Sequence, residues 1–200
     1  PNLWGNTAGQ EVIYLLLGNL SIRHTRELLD DMNKEGAYEM AKQGEEFFNQ
    51  ALVASEKSGK GSYSRAYLGL AGLENLYAIA DARLQNDIRL IDLKALERME
   101  GYLTQALEAN YKPLTADISE KVFYSRGQLA LSYFMLTSEK KYLDDAYENY
   151  NAVVIAYADE NERLIEFAAL SFSGLATVAQ LRNDFDGAIV YSPIKIELVK

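Results

Sequence analysis

The chain of 200 residues contains no cysteine, one histidine and three prolines. Without cysteine it has no disulfide, no thiolate metal ligand and no thiol nucleophile. The single imidazole, His24, rules out every site that needs two, and any serine-type triad built away from it. His24 itself is flanked by Arg23 and Arg26, a poor setting for a cation. A di-iron bundle needs Glu-x-x-His on two helices, which one histidine does not supply. Gly69 and Gly72 lie inside a helical stretch with no Lys-Ser/Thr pair after them, so they make no phosphate loop. No Gly-x-Ser-x-Gly elbow is present. The adjacent carboxylates Asp30-Asp31, Glu45-Glu46 and Asp144-Asp145 would point about 100° apart on a helix, so they read as solvated faces, not as converging acids. No enzyme, metal or cofactor is expected. Acidic side chains outnumber basic ones, 29 to 20, for a net charge of -9. Such a chain repels phosphate backbones and anionic membrane surfaces, so nucleic acid is not an expected partner.

Sustained alternation with β-branched residues is missing as well, so no sheet is expected. A hydrophobic share of 48% supports a real core, and with proline scarce the elements should be long helices. Turn-forming residues break the chain at 33–36, 58–62, 86–87, 112–113, 137–138, 158–159 and 182–184. Between them lie eight apolar runs of helical period, most of about 15 to 25 residues.

The runs are of two kinds. Residues 122–136 carry one charge, Arg126, and 164–181 carry only Glu166, so these are apolar nearly all round. Residues 92–110 place Leu93, Leu96, Met99, Leu103 and Leu107 on one stripe and charges on the rest. A helix apolar all round is covered on several sides, whereas a striped one is covered on one. From Ala37 onward the two kinds alternate, which predicts an inner layer of apolar helices and an outer layer of amphipathic ones. Residues 164–181 are long enough to raise a membrane span. Ser171, Ser173, Thr177 and Gln180, with Glu166 near one end, favour burial between helices, and no membrane insertion is expected.

The run Tyr63-Ser64-Arg65-Ala66-Tyr67-Leu68-Gly69-Leu70 recurs 61 positions later as Tyr124-Ser125-Arg126-Gly127-Gln128-Leu129-Ala130-Leu131. Recurrence at the start of two inner helices suggests a helical array, in which each hairpin buries a face on the next. Near the C-terminus stand Phe172-x2-Leu175-Ala176-x2-Ala179, then Asp184-Phe185-Asp186-Gly187-Ala188-Ile189. This stretch, over 172–189, resembles a tetratricopeptide repeat: an aromatic and a Leu-Ala on the first helix, an acidic-aromatic-acidic turn, and Ala-Ile opening the second. Tyr14-x2-Leu17-Gly18-x2-Ser21 reads like another first helix. Phe47 to Leu52 and Thr104 to Asn110 read like second-helix ends. The small residues recur at 61 and 46 positions, from Gly69 to Ala130 to Ala176, so the repeats are longer than the roughly 34 residues usual for the family. The resemblance implies an all-α antiparallel helix-pair solenoid of about eight helices in one domain over 1–200, with Gly18, Ala130 and Ala176 at helix contacts. It further implies a protein-interaction scaffold that holds a peptide or partner protein in an apolar concave groove.

On the inner helices, steps of three and four align Tyr124, Gly127, Leu131 and Phe134, and likewise Tyr63, Ala66, Leu70 and Leu73. These faces are expected to point away from the outer layer. The expected partner-binding residues are Tyr63, Arg65, Leu70, Tyr124, Arg126, Leu131 and Phe134. Arg65 and Arg126 have two readings: ion pairs with an outer-helix acid such as Glu97, Glu100, Asp144 or Glu148, or a clamp on a carboxylate of the ligand. A second function class is a small-molecule or lipid-binding helical protein whose helices close around a cavity. The start at Pro1 and the lack of cysteine lean toward a portion of a longer, exported or membrane-tethered protein, with self-association left open.

Overall fold

The computed structural model describes residues 7–58, 63–109, 117–158 and 165–198. Among them the backbone forms eight α-helices and no strand: α1 (Thr7–Asp30), α2 (Lys34–Ser58), α3 (Tyr63–Gln85), α4 (Leu93–Glu108), α5 (Asp117–Thr137), α6 (Lys140–Ala158), α7 (Ile165–Leu181) and α8 (Phe185–Leu198). One short 3-10 turn, Ile88–Leu90, precedes α4. The all-helical class and the helix number match the reading of the sequence. The chain divides into two compact units, Pro1–Pro113 with α1–α4 and Leu114–Lys200 with α5–α8. The breaks expected at 58–62, 112–113 and 158–159 fall wholly or partly outside the described residues.

Four of the helix ends share one device. Met32, Asn86, Ser138 and Asn183 adopt left-handed backbone, with φ of 58°, 50°, 58° and 61°. At three of them paired backbone bonds close the helix: the N–H of Asn33 donates to Leu28 C=O (2.8 Å), that of Asp87 to Ala82 C=O (2.9 Å) and that of Asp184 to Ala179 C=O (2.8 Å). This satisfies carbonyls that the helix end would leave unpaired. The same residue then starts the next element. Asn33 Oδ1 accepts the N–H of Gly36 at 3.0 Å, and Asp184 Oδ1 accepts that of Gly187 at 2.9 Å. Asp92 caps α4 by accepting from Lys94 and Ala95. Turns this short fold each helix back beside its predecessor.

In the first unit α1 lies along α2, α3 packs on both, and α4 covers α3; in the second, α5 lies along α6, α7 packs on both, and α8 covers α7. Charge follows this order. α4 buries Ala95, Leu96, Met99, Leu103 and Ala106 and turns its charges outward, while α3 and α7 bury residues around most of their circumference. Leu93, placed on the α4 stripe by period, is exposed in the first turn.

In each unit one core cluster is built on a buried aromatic ring held between glycines. Phe48 of α2 sits between Gly18 of α1 and Gly69 of α3; a Cβ at Gly18 would lie 2.6 Å from its ring, and one at Gly69 would collide with it. Tyr150 of α6 sits between Gly127 of α5 and Gly174 of α7, where added Cβ atoms would come within 2.6 and 2.5 Å. Burial pushes the Tyr150 phenol well above its ordinary value. Gly18 therefore sits where the sequence placed it. In α5 and α7 the register differs: Ala130 and Ala176 are buried, but the closest approach is at Gly127 and Gly174. Helices with apolar residues on several sides offer more than one row of small residues, and period alone does not choose among them.

Candidate interaction surfaces

The expected partner-binding residues take different places. In the first unit Leu70 is 2% exposed and packs with Phe48 and Leu73, Tyr63 is half-buried and Arg65 is exposed. In the second unit Tyr124, Leu131 and Phe134 are half-buried and pack on the core formed by Leu143, Ala146, Tyr150 and Phe172. The Tyr124 ring meets Tyr150 at 5.9 Å and Phe167 edge-on at 5.6 Å. The face through Tyr124, Gly127, Leu131 and Phe134 thus turns toward α6, not away from it, and its counterpart through Ala66, Leu70 and Leu73 is buried as well. Steps of three and four locate a helix stripe but do not say which neighbour it meets. As placed, Leu70, Tyr124, Leu131 and Phe134 lie in helix seams and form no open strip.

Arg65 and Arg126 form no ion pair among the described residues, and the acid proposed for one of them, Asp144, is held by Arg182. That guanidinium also donates to Leu143 C=O at 3.2 Å and stacks over Tyr147 at 5.2 Å. The buried charge of the inner layer is instead an acid. Glu74 of α3, 8% exposed, accepts from Arg98 Nε of α4 at 2.9 Å. An acid in the middle of the apolar stretch from Ala66 to Ala80, Leu73-Glu74-Asn75-Leu76, is the signal in the sequence that marks it.

An exposed apolar stripe of the first unit lies on α1. Val12, Ile13, Leu16 and Leu20 follow steps of three and four along one side, and Leu16 and Leu20 are 59% and 60% exposed. This stripe borders a groove of about 470 Å3 between α1 and α2, lined by Leu17, Leu20 and His24 on one wall and Met40, Gln43 and Phe47 on the other. No residue of α3 lines it. The groove is open to solvent along its length and ends in a charged cluster, where Glu27 meets Arg23 at 3.3 Å and His24 Nδ1 at 3.2 Å. The hydrogen bond to His24, aided by Arg23, holds the Glu27 carboxyl below its ordinary value. The layer pattern in the sequence is read only from Ala37 onward, so it does not mark this face of α1.

Among the described residues no group of three or more histidine and carboxylate side chains is disposed to hold a metal ion, and no helix is long and apolar enough to cross a membrane. No protein-family model matches the chain, and comparison with curated proteins gives no relative.

Proposed function

We propose that this chain is a non-catalytic protein-interaction scaffold of tetratricopeptide-like helix pairs, and that its α1–α2 groove receives an apolar helix of a partner protein. The observation that carries the reading is the exposed stripe Ile13, Leu16, Leu20 beside that groove. Apolar area of this extent is normally covered by something. A helix is the fitting occupant because the α1–α2 hairpin already receives one: α3, apolar on several sides, packs on the flank that the groove leaves aside. A stripe repeating at three and four residues matches the ridge of such a helix. Arg23 and Arg26, exposed near the charged end, favour a partner with carboxylates there. The open groove favours an elongated occupant over an enclosed small ligand. The helix-pair packing, with rings held between Gly18 and Gly69 and between Gly127 and Gly174, supports the family likeness carried by Tyr14, Leu17 and Gly18.

The test uses a labelled amphipathic helical peptide with leucines at steps of three and four and glutamates at one end, titrated into the intact chain. Saturable binding should fall about tenfold or more, roughly 1.4 kcal/mol, when Leu16→Asp and Leu20→Asp are combined, with Tm unchanged because both side chains are exposed. Equal binding by this variant overturns the proposal.

A further inference from the structure

One stripe of α3 runs along the seam between α2 and α4. Tyr67 stacks on Tyr102 of α4 at 6.3 Å, and Glu74 accepts from Arg98 of the same helix. Further along, Tyr77 lies 5.5 Å from Tyr38 of α2, and Asp81 pairs with Lys34 of α2 at 2.5 Å. The stripe touches α4 through its first half and α2 through its second, and α2 and α4 make no close backbone approach to each other. The floor of this seam is therefore aromatic and acidic, with Glu74 at its centre.

Glu74 is incompletely satisfied. Its Oε1 accepts one N–H from Arg98, but its Oε2 is buried without a hydrogen-bond partner. A buried carboxylate oxygen left open is costly, and a guanidinium can serve both oxygens at once, which Arg98 does not do. The Arg98 side chain is 49% exposed, so it can leave. Glu45 of α2 adds a second negative charge: burial first, then the fields of Glu45 and Glu74, push the Tyr77 phenol up to about 12 and raise that of Tyr102. Among the described residues Arg98 is thus the one cation bonded to Glu74, Lys34 being held by Asp81 at the other end of the seam, and the neighbouring ring faces attract a further cation.

We propose that this seam is a binding site for a primary ammonium or guanidinium group, which takes the open Oε2 of Glu74 between Tyr77 and Tyr102 in competition with Arg98. The group comes from a lysine or arginine side chain of a polypeptide or from a free amine, and the site is separate from the α1–α2 groove.

The probes are capped Gly-Arg-Gly and Gly-Lys-Gly tripeptides, agmatine as a free amine, and capped Gly-Gln-Gly as a neutral control. The readout is nuclear magnetic resonance of the Arg98 Nε–H and the tyrosine rings in the intact chain. The basic probes should shift the Arg98, Tyr77 and Tyr102 signals saturably, and the glutamine peptide should not. Tighter binding of the tripeptides than of agmatine assigns the site to a polypeptide side chain, and the reverse order to a free amine. Glu74→Gln should weaken binding about tenfold or more, while Glu97→Gln, an exposed acid on α4, leaves it unchanged. Arg98→Ala, which removes the resident competitor, should tighten binding several-fold, and this variant decides the matter even if Glu74→Gln does not fold. Unchanged or weaker binding by Arg98→Ala, wild-type binding by Glu74→Gln, or equal shifts with the neutral peptide overturn the proposal.

Discussion

The ring of Tyr150 rests on the backbone of α5 at Gly127, so close that a Cβ there would lie 2.6 Å from it. The ring is buried and has α7 on its other side at Gly174, so it has nowhere to move. Gly127→Ala should therefore destabilise the second unit by about 1–3 kcal/mol, the usual range for overpacking, despite the better helix propensity of alanine. Gly101 in α4 is the control: its added Cβ would meet nothing within 4 Å. Gly101→Ala should stabilise by about 0.5–1 kcal/mol. Denaturant midpoints of both variants check the pair, and equal effects would refute the packing argument.

Ala130 and Ala176 offer a graded comparison. Both are buried, at 6% and 8% exposure, but neither makes the closest helix approach. Ala130→Leu and Ala176→Leu should each cost about 1–3 kcal/mol. Thermal unfolding that leaves both variants at the wild-type midpoint would show that α5 and α7 have room on those faces.

The cap of α4 should be separable from its core. Asp92 accepts two backbone N–H groups at the start of the helix. Asp92→Ala should cost about 1 kcal/mol, and Asp92→Asn or Asp92→Ser much less. A loss of the same size in all three variants would show that the negative charge, not the cap geometry, matters.

Alkali should loosen the first unit through Tyr77. Its folded pKa is pushed up to about 12, against about 10 in an unfolded chain. The folded state therefore holds this proton more tightly. The contribution to stability is complete below about pH 10 and is lost as pH rises from there through about 12. Tyr77→Phe removes the ionisation and should flatten the fall in Tm over that window. An unchanged slope would mean that other groups carry the alkaline sensitivity.

The turns were legible because their chemistry is local. Asn33, Asn86, Ser138 and Asn183-Asp184 are residues that end one helix in left-handed backbone or cap the next, and each stands where the chain reverses. The alternation of charged and apolar helices was legible for a similar reason, since burial on several sides leaves no room for charge. What stayed hidden depends on neighbours distant in sequence. Nothing near Gly127 in the chain says that Tyr150 will press on it, and nothing near Leu70 says whether partner or core covers it. The recurrence of Tyr63–Leu70 at Tyr124–Leu131 misled for this reason: Gly69 meets an aromatic on the helix before it, whereas Gly127 meets one on the helix after it. Likewise Arg65 and Arg126 stand out in the sequence as lone charges, yet the charges that are buried with a partner are Glu11, which accepts from Ser55, and Glu74, which accepts from Arg98.

Hydrogen exchange of the intact chain, with and without the saturating amphipathic peptide, tests the proposed interaction surface most directly. The account predicts slowed exchange along α1 from Val12 to Glu27 and along α2 from Met40 to Phe47, with α5 unchanged between Tyr124 and Phe134. Protection confined to Tyr63–Leu70 and Tyr124–Phe134, with α1 unaffected, would contradict it and return the binding surface to the inner helices.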